Sequence, residues 1–214
     1  MTAPGVSPTA HAGQYTLDPR KCCIVNVDTV TLFFALLAIA LQVAVIALVL
    51  GAVAGRSVRS VVVDTVGPIA LWAAAAIATV CMVGSLYLSE VAKFTPCKLC
   101  WYQRIAMYPS ALLLVIAAAR RDGAVRRFVG PLVVIGALIS SYHVLLERFP
   151  NLESGACDPD NPCSLIWFEK FGYITIPVMA LTGFAGVIAV LLIHRAWAGD
   201  GSRASSSSQE SRHG

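Results

Sequence analysis

Apolar residues run through this chain in long unbroken stretches, and the stretches have a common length. The apolar core of a bilayer is about 30 Å thick and takes about 20 residues of helix per crossing. Residues 29–55 and 65–89 contain no charged side chain, and residues 128–146 contain only His143. Residues 171–193 are free of Asp, Glu, Lys and Arg, and residues 99–119 reach spanning length only if Arg104 is taken inside. The pattern predicts five transmembrane helices. The first run far exceeds the roughly 7–15 residues of a signal-peptide apolar region, so it is expected to be retained as a span.

Composition supports this reading: 57% of residues are hydrophobic and 13% charged, against about 25% charged in soluble domains. Outside the spans lie a polar N-terminal arm (1–28), short loops and a Ser-rich tail (198–214) of disordered composition, too little for a soluble domain. No internal repeat is evident. The predicted class is all-α: a polytopic membrane protein with a four-helix core over 65–197, preceded by an extra transmembrane helix and loop over 29–64.

The net charge of +4 reads as a topology signal rather than a nucleic-acid footprint. Arg120, Arg121, Arg126 and Arg127 place the link between the third and fourth spans in the cytoplasm, and Arg195, Arg203 and Arg212 place the tail there too. Residues 147–170 carry five acids against two bases and are expected outside. Arg56 and Arg59 set the first link in the cytoplasm, which leaves the N-terminus outside, although Arg20 and Lys21 oppose that last step.

The cysteines fall into this frame. Cys97 and Cys100 lie between the second and third spans, Cys157 and Cys163 between the fourth and fifth. Two crossings separate the pairs, so both face one compartment, and the arginines make it the extracytoplasmic one, where disulfides persist. In Thr95-Pro96-Cys97-Lys98-Leu99-Cys100, Thr95 suits an N-cap and Pro96 a first helical position, so Cys97 is expected in the opening turn. The positive end of a helix favours a thiolate. C-x-x-C serves reversible disulfide chemistry but also half of a structural zinc site. Against zinc, the second pair has five intervening residues and neither outer loop has a histidine; no metal is expected. The turn-forming residues Gly155, Pro159, Asn161 and Pro162 allow a Cys157–Cys163 disulfide, either a passive staple or an exchangeable bond.

Arg104 shares a helix face with Cys100, one turn on, and either snorkels to the interface or faces a site. His143 should lie at similar depth. The two could bind the carbonyl oxygens of a flat redox-active ligand, or His143 could simply pack between helices. Cys81, mid-span, reads as a small apolar packing residue. Cys22 and Cys23, adjacent and badly placed to pair, read as non-catalytic.

The segments Gly84-Ser85-Leu86-Tyr87-Leu88-Ser89-Glu90, Pro96 to Pro109 (PCKLCWYQRIAMYP), Tyr142-His143, Pro162-Cys163-Ser164 and Phe171-Gly172-Tyr173-Ile174-Thr175-Ile176-Pro177 resemble the disulfide bond formation protein DsbB family, in particular its BdbC-type branch. The resemblance covers roughly residues 70–195. It implies a four-helix bundle of the bacterial plasma membrane that passes electrons from a thioredoxin-like thiol oxidase of the DsbA or BdbD type to a quinone, menaquinone or ubiquinone. It also implies that Cys157 and Cys163 form the disulfide attacked by the partner, that Cys97 and Cys100 reoxidise it, and that Cys100 meets the quinone with Arg104 and His143 supporting the ring. The extra first helix departs from the family pattern. A vitamin K epoxide reductase-like enzyme is the rival quinone-linked reading, and a metal-binding structural membrane protein the non-enzyme one.

Overall fold

The computed structural model describes residues 26–210 except 154–156 and 159, with backbone alone over 200–210. Most of the N-terminal arm, including Cys22 and Cys23, and the last four residues of the tail lie outside the described residues. Five helical stretches are long and apolar enough to cross a membrane, and the described residues contain no strand beyond two isolated bridges.

Helix α1 spans Val27–Val53 and opens on Asn26, whose side chain accepts the Asp28 amide at 3.0 Å. Gly55, at φ 131°, turns the chain in a conformation that suits glycine. The following link, read as a loop from the sequence, is instead helix α2, Arg56–Val66. Backbone near a bilayer must pair its own polar groups, and a helix does so locally. A short 3-10 turn, Gly67–Ile69, leads into α3, Ala70–Glu90. Gly67 lies against the Trp197 side chain from the last helix, where any Cβ would collide.

Helix α4 covers Lys98–Arg120 and ends on Arg121 in the left-handed conformation. Asp122 then accepts the Ala124 amide at 2.8 Å and starts the 3-10 turn before α5, Arg126–Arg148. Helix α6 differs from expectation at both ends. It begins at Ile176, because Phe171 and Gly172 take positive φ and Lys170 pairs with Ile174, turning the start of the predicted span into a loop. It then continues to Glu210, through serines whose composition suggested disorder.

Helices α3, α4, α5 and α6 form a ring in which each packs on the next and α6 closes on α3. Their core is built from small residues, among them Ala74, Ala78, Ala106 and Ala111, with Leu114, Val129 and Phe184 filling the centre. Small side chains let helices approach closely where lipid removes any hydrophobic drive between them. Large apolar residues such as Leu112, Phe128 and Leu138 point outward, toward the bilayer. Helix α1 lies outside the ring, packed on α6. Gln42 donates to Thr182 at 2.9 Å and accepts from Tyr173 at 2.9 Å, and Lys170 pairs with Asp28 at 3.2 Å.

Gly136 faces the ring of the buried Phe184, whereas Gly130 meets nothing within 4 Å. Gly136→Leu should destabilise the bundle by about 1–3 kcal/mol through overpacking. Gly130→Leu should leave the thermal midpoint of the detergent-solubilised protein unchanged. Equal melting curves for the two variants would refute the assigned core.

Candidate active site

The site begins at the start of α4. Residue 97 takes an extended backbone, and Cys97, rather than Thr95, is the N-cap: its sulfur accepts the Cys100 amide at 3.3 Å. A sulfur in this position does the work of a capping oxygen. The Cys97 and Cys100 sulfurs are 3.0 Å apart, both residues being free cysteines. The side-chain hydrogen bond shared with Cys100 lowers the Cys97 pKa well below the ordinary thiol value, helped by His143 and opposed by burial. The lowered pKa favours the thiolate at neutral pH.

Cys157 and Cys163 form a disulfide, buried at the same end of the bundle and packed in one cluster with Cys97, Leu99 and Leu146. Asn161 donates to the Pro96 carbonyl at 3.2 Å, tying the loop to the start of α4. Glu153 accepts the Cys163 amide at 2.9 Å.

Between the two pairs stands His143, 2% exposed. The Gln103 amide donates to its Nδ1 at 3.1 Å, which leaves the proton on Nε2. Nε2 donates to the Cys163 carbonyl at 3.0 Å and lies 3.7 Å from the Cys97 sulfur. One ring therefore touches both halves of the site. One turn further along α5, toward the loop, Glu147 is buried and accepts from Thr175 at 2.6 Å. Glu147 was grouped with the loop acids in the sequence; the helix continues far enough to draw it inside.

On the other side of Cys100 lies an apolar cavity of about 350 Å³. Its wall includes Cys100, Gln103, Arg104, Met107 and Tyr108 of α4, and Phe94 and Trp167, stacked 5.2 Å apart, stand at the loop end. Arg104 faces this space instead of snorkelling away. Its Nε donates to Ser85 Oγ and its Nη2 to the Ser85 carbonyl, both at 3.0 Å, and its guanidinium lies 5.2 Å from the Trp101 ring centroid. Among the described residues Nη1 has no protein partner. Cys81 also lines the cavity, beside Gly183.

The structure thus brings Cys97, Cys100, Cys157, Cys163 and His143 together, with Arg104 on the cavity side. His143 is not among the cavity-lining residues; facing the thiols from α5, it is separated from the place expected for it beside Arg104. Gln103 and Glu147 escaped the sequence reading as site residues. The Gln-Arg pair after the second cysteine was visible, but only the fold shows that its glutamine holds the histidine. The case against zinc also changes, because α5 supplies the histidine that the loops lack. The ligand atoms of Cys97, Cys100 and His143 all lie within 4.8 Å of one another.

Thiols that cap a helix and pack on a second cysteine pair at one end of a membrane bundle mark a membrane thiol oxidoreductase. Known proteins agree with that class. The family model described as "Disulfide bond formation protein DsbB" matches residues 68–194. "Disulfide bond formation protein C" of Bacillus subtilis (strain 168) is 44% identical over 124 residues, covering 58% of this chain and 90% of its own. A "Probable disulfide formation protein C" of Bacillus cereus is 46% identical over 114 residues, 53% of this chain and 80% of its own. A "Probable disulfide formation protein" of Coxiella burnetii (strain Dugway 5J108-111) is 44% identical over 124 residues, 57% and 78% respectively. No solved structure matches. The chain belongs to the DsbB family, in its BdbC branch, and has a membrane role in disulfide formation.

In protein with the Cys157–Cys163 disulfide intact and Cys97 and Cys100 reduced, the Cys97 thiolate absorbance near 240 nm should persist at pH 6 and disappear only well below it, and His143→Ala should move that midpoint upward. A midpoint near the ordinary thiol value of 9.0 in the unsubstituted protein would overturn the assigned thiolate.

Proposed function

We propose that this chain takes two electrons from the dithiol of an extracytoplasmic thioredoxin-like thiol oxidase of the DsbA or BdbD type and delivers them to a membrane quinone, menaquinone or ubiquinone. The observation that carries the reading is the placement of the C-x-x-C pair between two environments. Cys97 lies beside the loop disulfide and His143, while Cys100, 3.0 Å away, lines the apolar cavity with Arg104.

The partner's thiolate attacks the Cys157–Cys163 bond, forming a mixed disulfide, and its second thiol closes the partner's own disulfide, leaving both loop cysteines reduced. A loop thiolate next attacks the Cys97–Cys100 disulfide through a transient bond between the two segments. That exchange restores Cys157–Cys163 and leaves Cys97 and Cys100 reduced, Cys97 as the thiolate, the arrangement of sulfurs described above. The attack falls on Cys97, the sulfur packed against the loop pair, and expels Cys100 toward the cavity. Cys97 is expelled in turn when the second loop cysteine closes Cys157–Cys163, a departure eased because its thiolate is held by the helix start, by Cys100 and by His143. Gln103 fixes the histidine so that Nε2 carries the proton facing that sulfur. Closing the Cys97–Cys100 bond again releases two electrons and the single proton of Cys100, Cys97 being already a thiolate. A quinone would take up the electrons with that proton and a second one from water, replacing the proton released when Cys97 became a thiolate, to give a quinol.

The residues present fit such a ligand. A cavity of about 350 Å³ lies within the roughly 300–1,000 Å³ of small-molecule sites. Its lining is mostly apolar, with Gln103, Arg104, Tyr108, Ser85 and Thr182 among its few polar groups, and a Cβ at Gly84 would stand 3.0 Å from the Phe34 ring. Arg104 places a fixed cation where negative charge develops. The arginine-rich links support the extracytoplasmic placement of the cysteines.

Mixing purified protein, a reduced thioredoxin-like partner and several quinones, and following quinone absorbance, tests the reading. Cys100→Ser should abolish quinone reduction, and Cys163→Ser should stop partner oxidation while leaving quinone binding intact. Arg104→Ala should weaken quinone affinity by about 10–100-fold, the worth of one hydrogen bond from a charged donor. Unaltered turnover in either cysteine variant, or unaltered quinone dependence without Arg104, would refute the corresponding role. One zinc per chain in anaerobically purified protein, with Cys97 and Cys100 protected from alkylation, would favour the metal-binding alternative.

A further inference from the structure

The family match begins at residue 68, so α1 lies wholly outside it, yet α1 supplies part of the cavity wall. Phe34, Leu37, Ala38 and Leu41 line it. Their spacing of three, four and seven residues is that of a single helix face. The opposite face, including Val43 and Leu50, is exposed to the bilayer.

Helix α1 is seated for this position rather than loosely attached. Gly84 of α3 and Gly186 of α6 each face an α1 side chain: a Cβ at Gly84 would stand 3.0 Å from the Phe34 ring, and one at Gly186 would stand 3.0 Å from Leu41. The α3 and α6 surfaces are therefore cut back where α1 meets them. The Gln42 bonds to Thr182 and Tyr173 fix its rotation, and the Asp28–Lys170 pair fixes its end. A polar side chain paired between helices inside a membrane sets register. Since α3 and α6 adjoin in the ring and the cavity is walled by α1, α3, α4 and α6, it runs along the α3–α6 seam from Cys100 toward α1.

We propose that α1 is a structural part of the electron-acceptor site: it closes the bilayer side of the seam, and Phe34, Ala38 and Leu41 determine which lipid-soluble acceptor fits. This rests on the quinone reading above and deepens it. The ligand class is a flat two-electron acceptor with an apolar tail, whose ring lies toward Cys100 and Arg104 and whose tail passes the α1 face. Substitutions on that face should change acceptor binding without touching the thiol exchange, because Cys157, Cys163, Cys97 and His143 lie beyond the cavity wall.

The experiment uses the full-length chain in lipid nanodiscs. An azido-substituted quinone is photocrosslinked and the labelled peptide mapped, and quinone dissociation constants are measured for the unsubstituted protein, Ala38→Trp, Phe34→Ala and the lipid-facing control Val43→Trp. Label should appear within residues 34–41. Ala38→Trp should weaken binding at least about tenfold by filling the cavity, and Phe34→Ala, which adds no bulk, should weaken it severalfold, while Val43→Trp matches the unsubstituted protein. Reduction of the Cys157–Cys163 bond by a dithiol, with no quinone present, should proceed equally in all four. If the unsubstituted protein binds quinone but label is confined to α3, α4 and α6, or Ala38→Trp and Phe34→Ala bind as it does, the role of α1 is overturned alone. If the unsubstituted protein neither binds nor reduces any quinone, the functional reading falls and takes this one with it.

Discussion

The start of a membrane helix presents amide groups that nothing in the helix can satisfy, and here one of them is answered by the sulfur of Cys97. The capping atom is also the one that the proposed mechanism uses. Because that sulfur accepts the Cys100 amide, the second cysteine is held 3.0 Å from it, and because the helix begins there, its positive end acts on the thiolate at no further cost in structure. The rest of the site is arranged around this cap: Asn161 draws the loop onto Pro96, and His143 links the cap to Cys163. Losing the cap would disturb helix geometry and redox chemistry at once.

The division of surroundings along α4 gives direction to the chemistry. Cys97 is enclosed with other sulfurs and a histidine; about two turns further, Gln103 and Arg104 leave the same helix on different faces. Gln103 turns to α5 and steadies His143, while Arg104 turns to α3 and is held by Ser85. Two consecutive residues thereby serve the two sides of one thiol pair, which explains why a Gln-Arg step follows the second cysteine more convincingly than their separate polarity does.

Much of this was legible in the sequence because a bilayer enforces simple rules. Long uncharged runs could only be spans, and counting crossings was enough to bring the cysteine pairs to one end. Where those rules lapse, local pattern does not determine structure. Helix α2 carries arginines and is too short to cross, so nothing in the span pattern revealed it. Phe171-Gly172 looked apolar enough to begin a span, but positive φ angles at both residues form a turn. Glu147 looked like a loop acid and is buried against Thr175. His143 was placed by depth alone, and depth does not tell which way a helix face points. The role of Gln103 depends on a neighbour 40 residues away, a distance over which local pattern carries no information.

The manner in which Arg104 is held has an electrostatic consequence. Its protein partners are a hydroxyl, a backbone carbonyl and the face of Trp101, and among the described residues no Asp or Glu lines the cavity, so its positive charge is held by dipoles and a ring face rather than by a carboxylate. A neutral molecule lodged there would acquire electrons against a standing field of favourable sign. Its midpoint potential would then sit above that of the same molecule dissolved in the surrounding lipid, and the final transfer would be drawn downhill by the protein before any product departs.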